Sequence, residues 1–232
     1  DSSLAIDTTL FSGNVAAGAE YSGGAMLVSG STLTIDRSTF EGNSAAGGNG
    51  GAIAILPPPG GAVLLTATVN RSTFSGNVAA GSGGAIFNAD PATQLDVKNS
   101  TFSRNRSDSG GGITNGSGTV SVINSTLTGN IAESGQGGGI LTDEAFLIRN
   151  SIVALNSGDE CSGDLSYLTA INNLSSDNTC CTIPGDTCLG HIIGDPGLRP
   201  LRENGGPTAT HALSPGSPAV DAGNPSGCMS DP

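Results

Sequence analysis

Apolar and polar positions along this chain follow one unit, written repeatedly. A single apolar anchor sits in a polar block that closes on asparagine: TTLFSGN (8–14), RSTFEGN (37–43), RSTFSGN (71–77), NSTFSRN (99–105), NSTLTGN (124–130) and NSIVALN (150–156). The anchors Phe11, Phe40, Phe74, Phe102, Leu127 and Val153 lie 29, 34, 28, 25 and 26 residues apart. A glycine pair follows each of the first five blocks (23 and 24, 50 and 51, 83 and 84, 111 and 112, 138 and 139), with Ile53, Ile86, Ile113 and Ile140 close behind. A third piece alternates apolar with polar residues, as in STLTID, LTATVN, QLDVK, TVSVI and AFLIR.

Three short strand-like pieces per unit, with β-branched residues and turn formers between them, predict one coil of a parallel β-helix. An α-helix is excluded, because glycine inside every unit would cost about 1 kcal/mol each relative to alanine. Coils stack at the strand spacing of roughly 4.8 Å, so equivalent positions form columns along the axis. The anchors Phe11, Phe40, Phe74, Phe102 and Leu127 become an interior column. Asn14, Asn43, Asn77, Asn105, Asn130 and Asn156 become a second, in which each amide bonds to the coils on either side. The glycines serve tight corners and close coil-to-coil approach. The expected organisation is β-helix repeats over 1–156, then a Cys- and Pro-rich continuation over 157–232 that wraps over the last coil as a cap. The insertion around LPPPGG (56–61) is expected as a surface loop.

Composition agrees with this reading. Glycine accounts for 37 of 232 residues and aromatics for 3%, too little bulk for an ordinary globular core and well suited to thin, layered packing. The formal net charge is −12, which excludes a basic face for nucleic acid and disfavours anionic lipid. No apolar run is long enough to span a membrane as a helix. The five cysteines, Cys161, Cys180, Cys181, Cys188 and Cys228, all follow residue 160 without CxxC spacing. They read as disulfides in an oxidising, extracellular setting. Cys161 is expected to pair with Cys180 or Cys181, and Cys188 with the other, leaving Cys228.

The paired motifs F-x-x-N and G-G-A-I resemble the repeats of polymorphic outer-membrane proteins over roughly 8–156. That resemblance implies a right-handed β-helix of a bacterial surface protein, with adhesive or structural roles and no catalytic residues. DPGLRPLRENGGPTATHALSPGSPAVDAG (195–223) is similar to the C-terminal segment of large secreted β-helix proteins of the choice-of-anchor type. The fold class is therefore all-β, a right-handed parallel β-helix (solenoid) of about six coils with a disulfide-stapled, cap-like C-terminal segment.

Chemistry-bearing clusters are few. A sugar-cleaving enzyme of the pectate-lyase kind needs carboxylates converging from neighbouring coils, and no column repeats an acid. Asp159, Glu160 and Asp164 form the densest acidic stretch and a candidate Ca²⁺ site, although a surface loop is the preferred reading. No other cofactor is expected. His191 and His211 suggest neither metal nor triad by spacing. Arg37 and Arg71, with Lys98 and Arg149, make a corner stripe matched by Asp36 and Asp96. Thr9, Thr39, Thr73, Thr101 and Thr126 form one outward column, where ice binding would require a broad face. The function expected is a non-catalytic extracellular or cell-surface protein. Its expected partners are glycans or other surface ligands, or further copies of itself stacked end to end; a polysaccharide-active or carbohydrate-binding β-helix is the alternative.

Overall fold

The computed structural model describes residues 2–20, 22–61, 64–181 and 188–224. The chain is a parallel β-helix whose coils have four sides rather than the three expected. Side 1 carries the alternating strands Ser2–Asp7, Ser31–Asp36, Leu65–Asn70, Thr93–Lys98, Thr119–Ile123, Phe146–Arg149 and Leu168–Ile171. Side 2 carries the anchor strands, from Leu10–Ser12 through Thr39–Glu41, Thr73–Ser75, Thr101–Ser103, Thr126–Thr128 and Ile152–Ala154 to Leu174–Ser175 and Ile192–Ile193. Side 4 runs from Met26–Ser29 through Ile53–Leu56, Ile86–Asn88, Ile113–Asn115 and Ile140–Thr142 to Cys161–Gly163.

The unforeseen side 3 comprises Val15–Glu20, Ser44–Gly48, Val78–Ala79, Arg106–Ser107 and Ile131–Ala132. Three of these strands are only two residues long and turn one small residue inward, Ala79, Ser107 or Ala132, in register with the buried Ala45 of the longer Ser44–Gly48. So short a piece has no periodicity to read. Every pairing within the four stacked sheets is parallel, the only antiparallel bridges among the described residues being in the tail. The coil reached by Leu168–Ile171 and Leu174–Ser175 carries the stack beyond residue 156.

Columns fill the interior. Side 1 contributes Leu33, Ala67, Leu95, Val120, Phe146 and Leu168 in one column and Ile35, Val69, Val97, Val122, Ile148 and Ala170 in the next. On side 2 the rings of Phe11, Phe40, Phe74 and Phe102 stack with centroids 4.7–4.8 Å apart and planes within 4°. Leu127 and Val153 continue that column in register. Phe40, Phe74 and Phe102 are fully buried, each stabilising the stack by roughly 1.5–3 kcal/mol.

Corners are turned by left-handed residues. One column, Thr8, Arg37, Arg71, Asn99, Asn124, Asn150 and Asn172, has φ of 46–51°. Another, Gly13, Gly42, Gly76, Arg104, Gly129 and Leu155, has φ of 57–64°. A non-glycine residue there costs roughly 1–2 kcal/mol, least for asparagine, which explains the NST spelling of the later blocks.

The glycine register differs from the expected pairs in two coils. Ile86 aligns with Ile113 and Ile140, so Gly24, Gly51 and Gly84 are followed in their column by Gly111 and Gly138, the first rather than the second members of the expected pairs, and Gly83 is followed by Gly110 and Gly137. A Cβ on Gly51 or Gly84 would lie 2.1 Å from the carbonyl oxygen of the glycine one coil on. Only glycine lets the coils approach this closely.

The C-terminal stretch does two separate things. The 3-10 turn Thr179–Cys181 packs on the end of the stack and buries Cys180, disulfide-bonded to Cys161, itself in the column of Ile140. A second disulfide joins Cys181 to Cys188. Cys228 lies outside the described residues. The rest of the tail folds back along side 2 instead of wrapping over the last coil. Thr73 Oγ1 donates to the Ala209 carbonyl at 2.6 Å, and Thr208 Oγ1 to the Arg71 carbonyl at 3.2 Å. The outward threonine column begins at Leu10 rather than the expected Thr9, and it is partly covered, with Thr73 and Thr101 buried.

Candidate functional site

Most of the buried polar chemistry holds the coils together. In the asparagine ladder each Nδ2 donates to Oδ1 of the next coil: Asn14 to Asn43 at 2.8 Å, Asn43 to Asn77 at 2.9 Å, Asn77 to Asn105 at 2.8 Å, Asn105 to Asn130 at 2.9 Å and Asn130 to Asn156 at 2.8 Å. The same Oδ1 accepts the backbone N–H of the preceding asparagine. The second amide proton returns to the carbonyl of the anchor one coil back, as from Asn77 to Phe40 at 3.0 Å. From Asn43 to Asn130 every side-chain donor and the carbonyl oxygen of each rung is thereby used.

Two further ladders escaped the sequence reading. Ser38, Ser72, Ser100, Ser125 and Ser151 each accept the backbone N–H of the equivalent residue one coil earlier and donate to a carbonyl two residues back. Asn88 donates to Asn115 at 3.1 Å on side 4. The serine of each block after the first was visible, but serine in a polar block reads as exposed.

The acidic stretch separates into different roles. Glu160 is buried at 1% exposure and accepts from Asn156 and Ser176, while its backbone N–H bonds Asp177. Burial pushes its carboxyl up to about 7. Asp164 is exposed and caps the short 3-10 turn Leu165–Tyr167, and Asp159 bonds the Ser162 hydroxyl at 3.2 Å. The three side chains do not converge, and among the described residues no group of three or more His, Cys, Asp or Glu gathers as a metal site. The candidate Ca²⁺ triplet is therefore not assembled; its central member turns inward.

The basic corner stripe is largely neutralised. Arg37 forks onto Asp7 at 3.0 and 2.7 Å, Arg71 forks onto Asp36 at 3.0 and 2.9 Å, and Lys98 lies 3.7 Å from Asp96. The Arg37 hydrogen bond lowers the Asp7 carboxyl below its usual range. His191 sits 2.8 Å from Ser175 Oγ; burial holds its imidazole below the ordinary range, against the opposing charge of Asp177.

The outer face of side 1 is open to solvent, as is that of side 3, where Val15, Val78 and Ile131 are exposed. The side 1 columns include Thr66, Gln94 and Thr119, and beside them Thr68, Asp96, Ser121, Leu147 and Thr169. By register, Ala145 and then Tyr167 follow Thr119. Alanine leaves a gap of one rung between Thr119 and Tyr167, and a cleft of about 350 Å³ opens there. Its nine lining residues are all uncharged, and Tyr167 is 54% exposed. An exposed aromatic beside hydroxyls and an amide suits an uncharged ligand with both apolar and hydroxyl faces.

Residues 37–55 and 71–89 each match the Chlamydia polymorphic membrane protein (Chlamydia_PMP) repeat. Two coils are thus similar to the polymorphic membrane protein repeat. Each matched repeat spans an anchor strand, the asparagine rung, the glycine corner and the beginning of side 4 or all of it, so its signature is the interior of one coil. No curated protein and no solved structure matches the chain. Among the described residues no helix is long and apolar enough to cross a membrane.

Proposed function

We propose that this protein is a rigid, non-catalytic display module acting outside the cell or at its surface, with side 1 as its adhesive face. Three features support the reading: the similarity of two coils to the polymorphic membrane protein repeat, two disulfides suited to an oxidising compartment, and an acidic, soluble exterior. The observation that carries it is the side 1 cleft, where Tyr167 stands over an uncharged floor of small and hydroxyl side chains. Neutral sugar rings are the ligands this chemistry fits, with a pyranose C–H face against the tyrosine and its hydroxyls toward Gln94, Thr119 and Ser121.

The test has two arms. Antibody labelling of intact source cells, with and without surface proteolysis, reports display; signal only after lysis refutes it. Saturation-transfer NMR with neutral oligosaccharides reports the adhesive face, and Tyr167→Ala is expected to abolish transfer. Transfer unchanged in that variant would move adhesion elsewhere. Release of reducing ends from pectic polysaccharide would instead establish the enzyme alternative.

End-to-end association of copies is a second reading, supported by the first coil. Ser2–Asp7 and Leu10–Ser12 pair with the second coil along one edge. Their other edge has the geometry to accept a further coil, whether from the same polypeptide or from another copy. Sedimentation across a concentration series checks it: a single species throughout overturns association.

A further inference from the structure

The geometry points to an anion-binding pocket between side 2 and the tail, built to take the carboxylate of an acidic sugar. This goes beyond the display reading and does not lean on it. The chain has seven arginines against a net charge of −12. Arg37, Arg71 and Arg106 are paired with carboxylates. Among the described residues Arg104 and Arg199, like Arg149 on side 1, have no ion pair and no side-chain hydrogen bond. Arg104 and Arg199 line one cleft of about 260 Å³. In so acidic a protein, two cations left together without a counter-charge form a local anion site.

Backbone strain marks the same place. Arg104 holds φ of 57° in a column where Gly13, Gly42, Gly76 and Gly129 occupy the equivalent corner. The fold favours glycine there, so an arginine is kept at a cost to stability, and strain of this kind gathers where a side chain serves a ligand. One rung on, Gly129 leaves an opening. A Cβ at Gly129 would lie 3.5 Å from Arg104 Cγ, which places the arginine stem alongside the bare glycine. Leu155 follows in the column, so the wall reads cation, gap, apolar.

The tail supplies the opposite wall with Arg199, Pro200 and His211. His211 Nδ1 lies 2.6 Å from the Arg199 carbonyl, an oxygen that can only accept, so Nδ1 carries the proton. Nε2 then accepts the Ser103 hydroxyl at 3.0 Å. Burial and the charge of Arg104 hold this imidazole below its ordinary range. The histidine is a neutral strut that pins the tail, and the two guanidiniums supply the charge. Planar forks match a carboxylate, and Leu155 and Pro200 offer apolar surface to a ring. The cleft falls below the roughly 300 Å³ typical of pockets for drug-sized ligands, which suits a single sugar ring better than an extended peptide.

The test is titration of the purified chain with galacturonate and glucuronate, followed by NMR of the arginine Nε–H and His211 imidazole signals. Glucose, inorganic phosphate, sulfate and a tetra-aspartate peptide are the comparators. Saturable shifts at Arg104 and Arg199 are expected with the uronates, together with a rise in the His211 pKa as the bound carboxylate offsets Arg104. Arg104→Gly is expected to bind at least tenfold more weakly while melting at a higher temperature, a combination that a purely structural arginine does not produce. Arg199→Gln should weaken binding similarly without altering the melt. The pocket is overturned if no anion shifts these signals, if glucose shifts them equally, or if Arg104→Gly binds as well as the parent. Tighter binding of phosphate, sulfate or the peptide than of either uronate overturns the sugar assignment.

Discussion

Glu160 stands to Asn156 as each asparagine of the ladder stands to the one a coil before it. Its Oε1 accepts the Asn156 backbone N–H at 3.3 Å and its Oε2 accepts Nδ2 at 2.5 Å. Among the described residues no further asparagine follows in this column, and a buried amide without an acceptor would cost about 1–3 kcal/mol. A carboxylate only four residues along closes the ladder instead.

Closing the ladder with an acid makes stability depend on pH. The folded-state value of about 7 lies above the ordinary 4.5. Between those values the folded chain holds a proton that the unfolded chain releases, so stability falls as pH rises through this window and levels off above it. The loss amounts to about 3 kcal/mol at most. His191 and His211, both shifted downward, act in the opposite sense as pH falls through the histidine range. Comparison with Glu160→Gln isolates the acid: thermal melts from pH 4.5 to 8 should show a gain for the variant that grows toward pH 8.

Removing a middle rung should be far costlier than removing an exposed polar residue. Asn77→Ala strands the Asn43 amide and the Phe40 carbonyl in the interior and should cost about 3 kcal/mol or more by denaturant unfolding. Asn77→Asp keeps an acceptor but loses both amide donors and buries a charge. It should be as unstable as Asn77→Ala at neutral pH and recover in part in acid.

The glycines divide into two kinds, and alanine tells them apart. At Gly76, with φ of 61°, an added Cβ meets nothing within 4 Å, so Gly76→Ala should cost only the left-handed penalty of about 1–2 kcal/mol. At Gly84 the Cβ would press on the Gly111 carbonyl oxygen at 2.1 Å and the Arg106 nitrogen at 2.7 Å. Gly84→Ala should cost about 4 kcal/mol or more, seen as loss of the cooperative transition or of soluble protein.

Leu155 offers the reverse experiment. It holds φ of 63° and is 51% exposed, so it pays the corner penalty and returns little burial. Leu155→Gly should stabilise the protein by about 1 kcal/mol, measured as a higher denaturant midpoint with an unchanged slope.

Repetition made the stack legible. The spacing of Phe40, Phe74 and Phe102 and the recurring Asn43, Asn77 and Asn105 identify columns, because a column is a sequence pattern copied at the coil length. Side 3 was not legible, since a strand such as Val78–Ala79 is too short to alternate. The serine ladder was hidden because Ser72 and Ser100 look like ordinary turn residues until the coils are superposed.

By itself the sequence determined the parallel β-helix, the phenylalanine and asparagine columns and the position of the cysteines, since these depend on local pattern and on identity between neighbouring coils. Only the tertiary structure decided where single, unrepeated residues come to rest. Glu160 turned from a candidate metal ligand into the end of a ladder, and the tail brought Arg199 and His211 beside Arg104 across about a hundred residues of chain. Ala145 below Tyr167 became the floor of a cleft only once register set them on adjacent rungs. Columns are written in the repeat, whereas contacts between unlike residues follow from how the chain closes on itself.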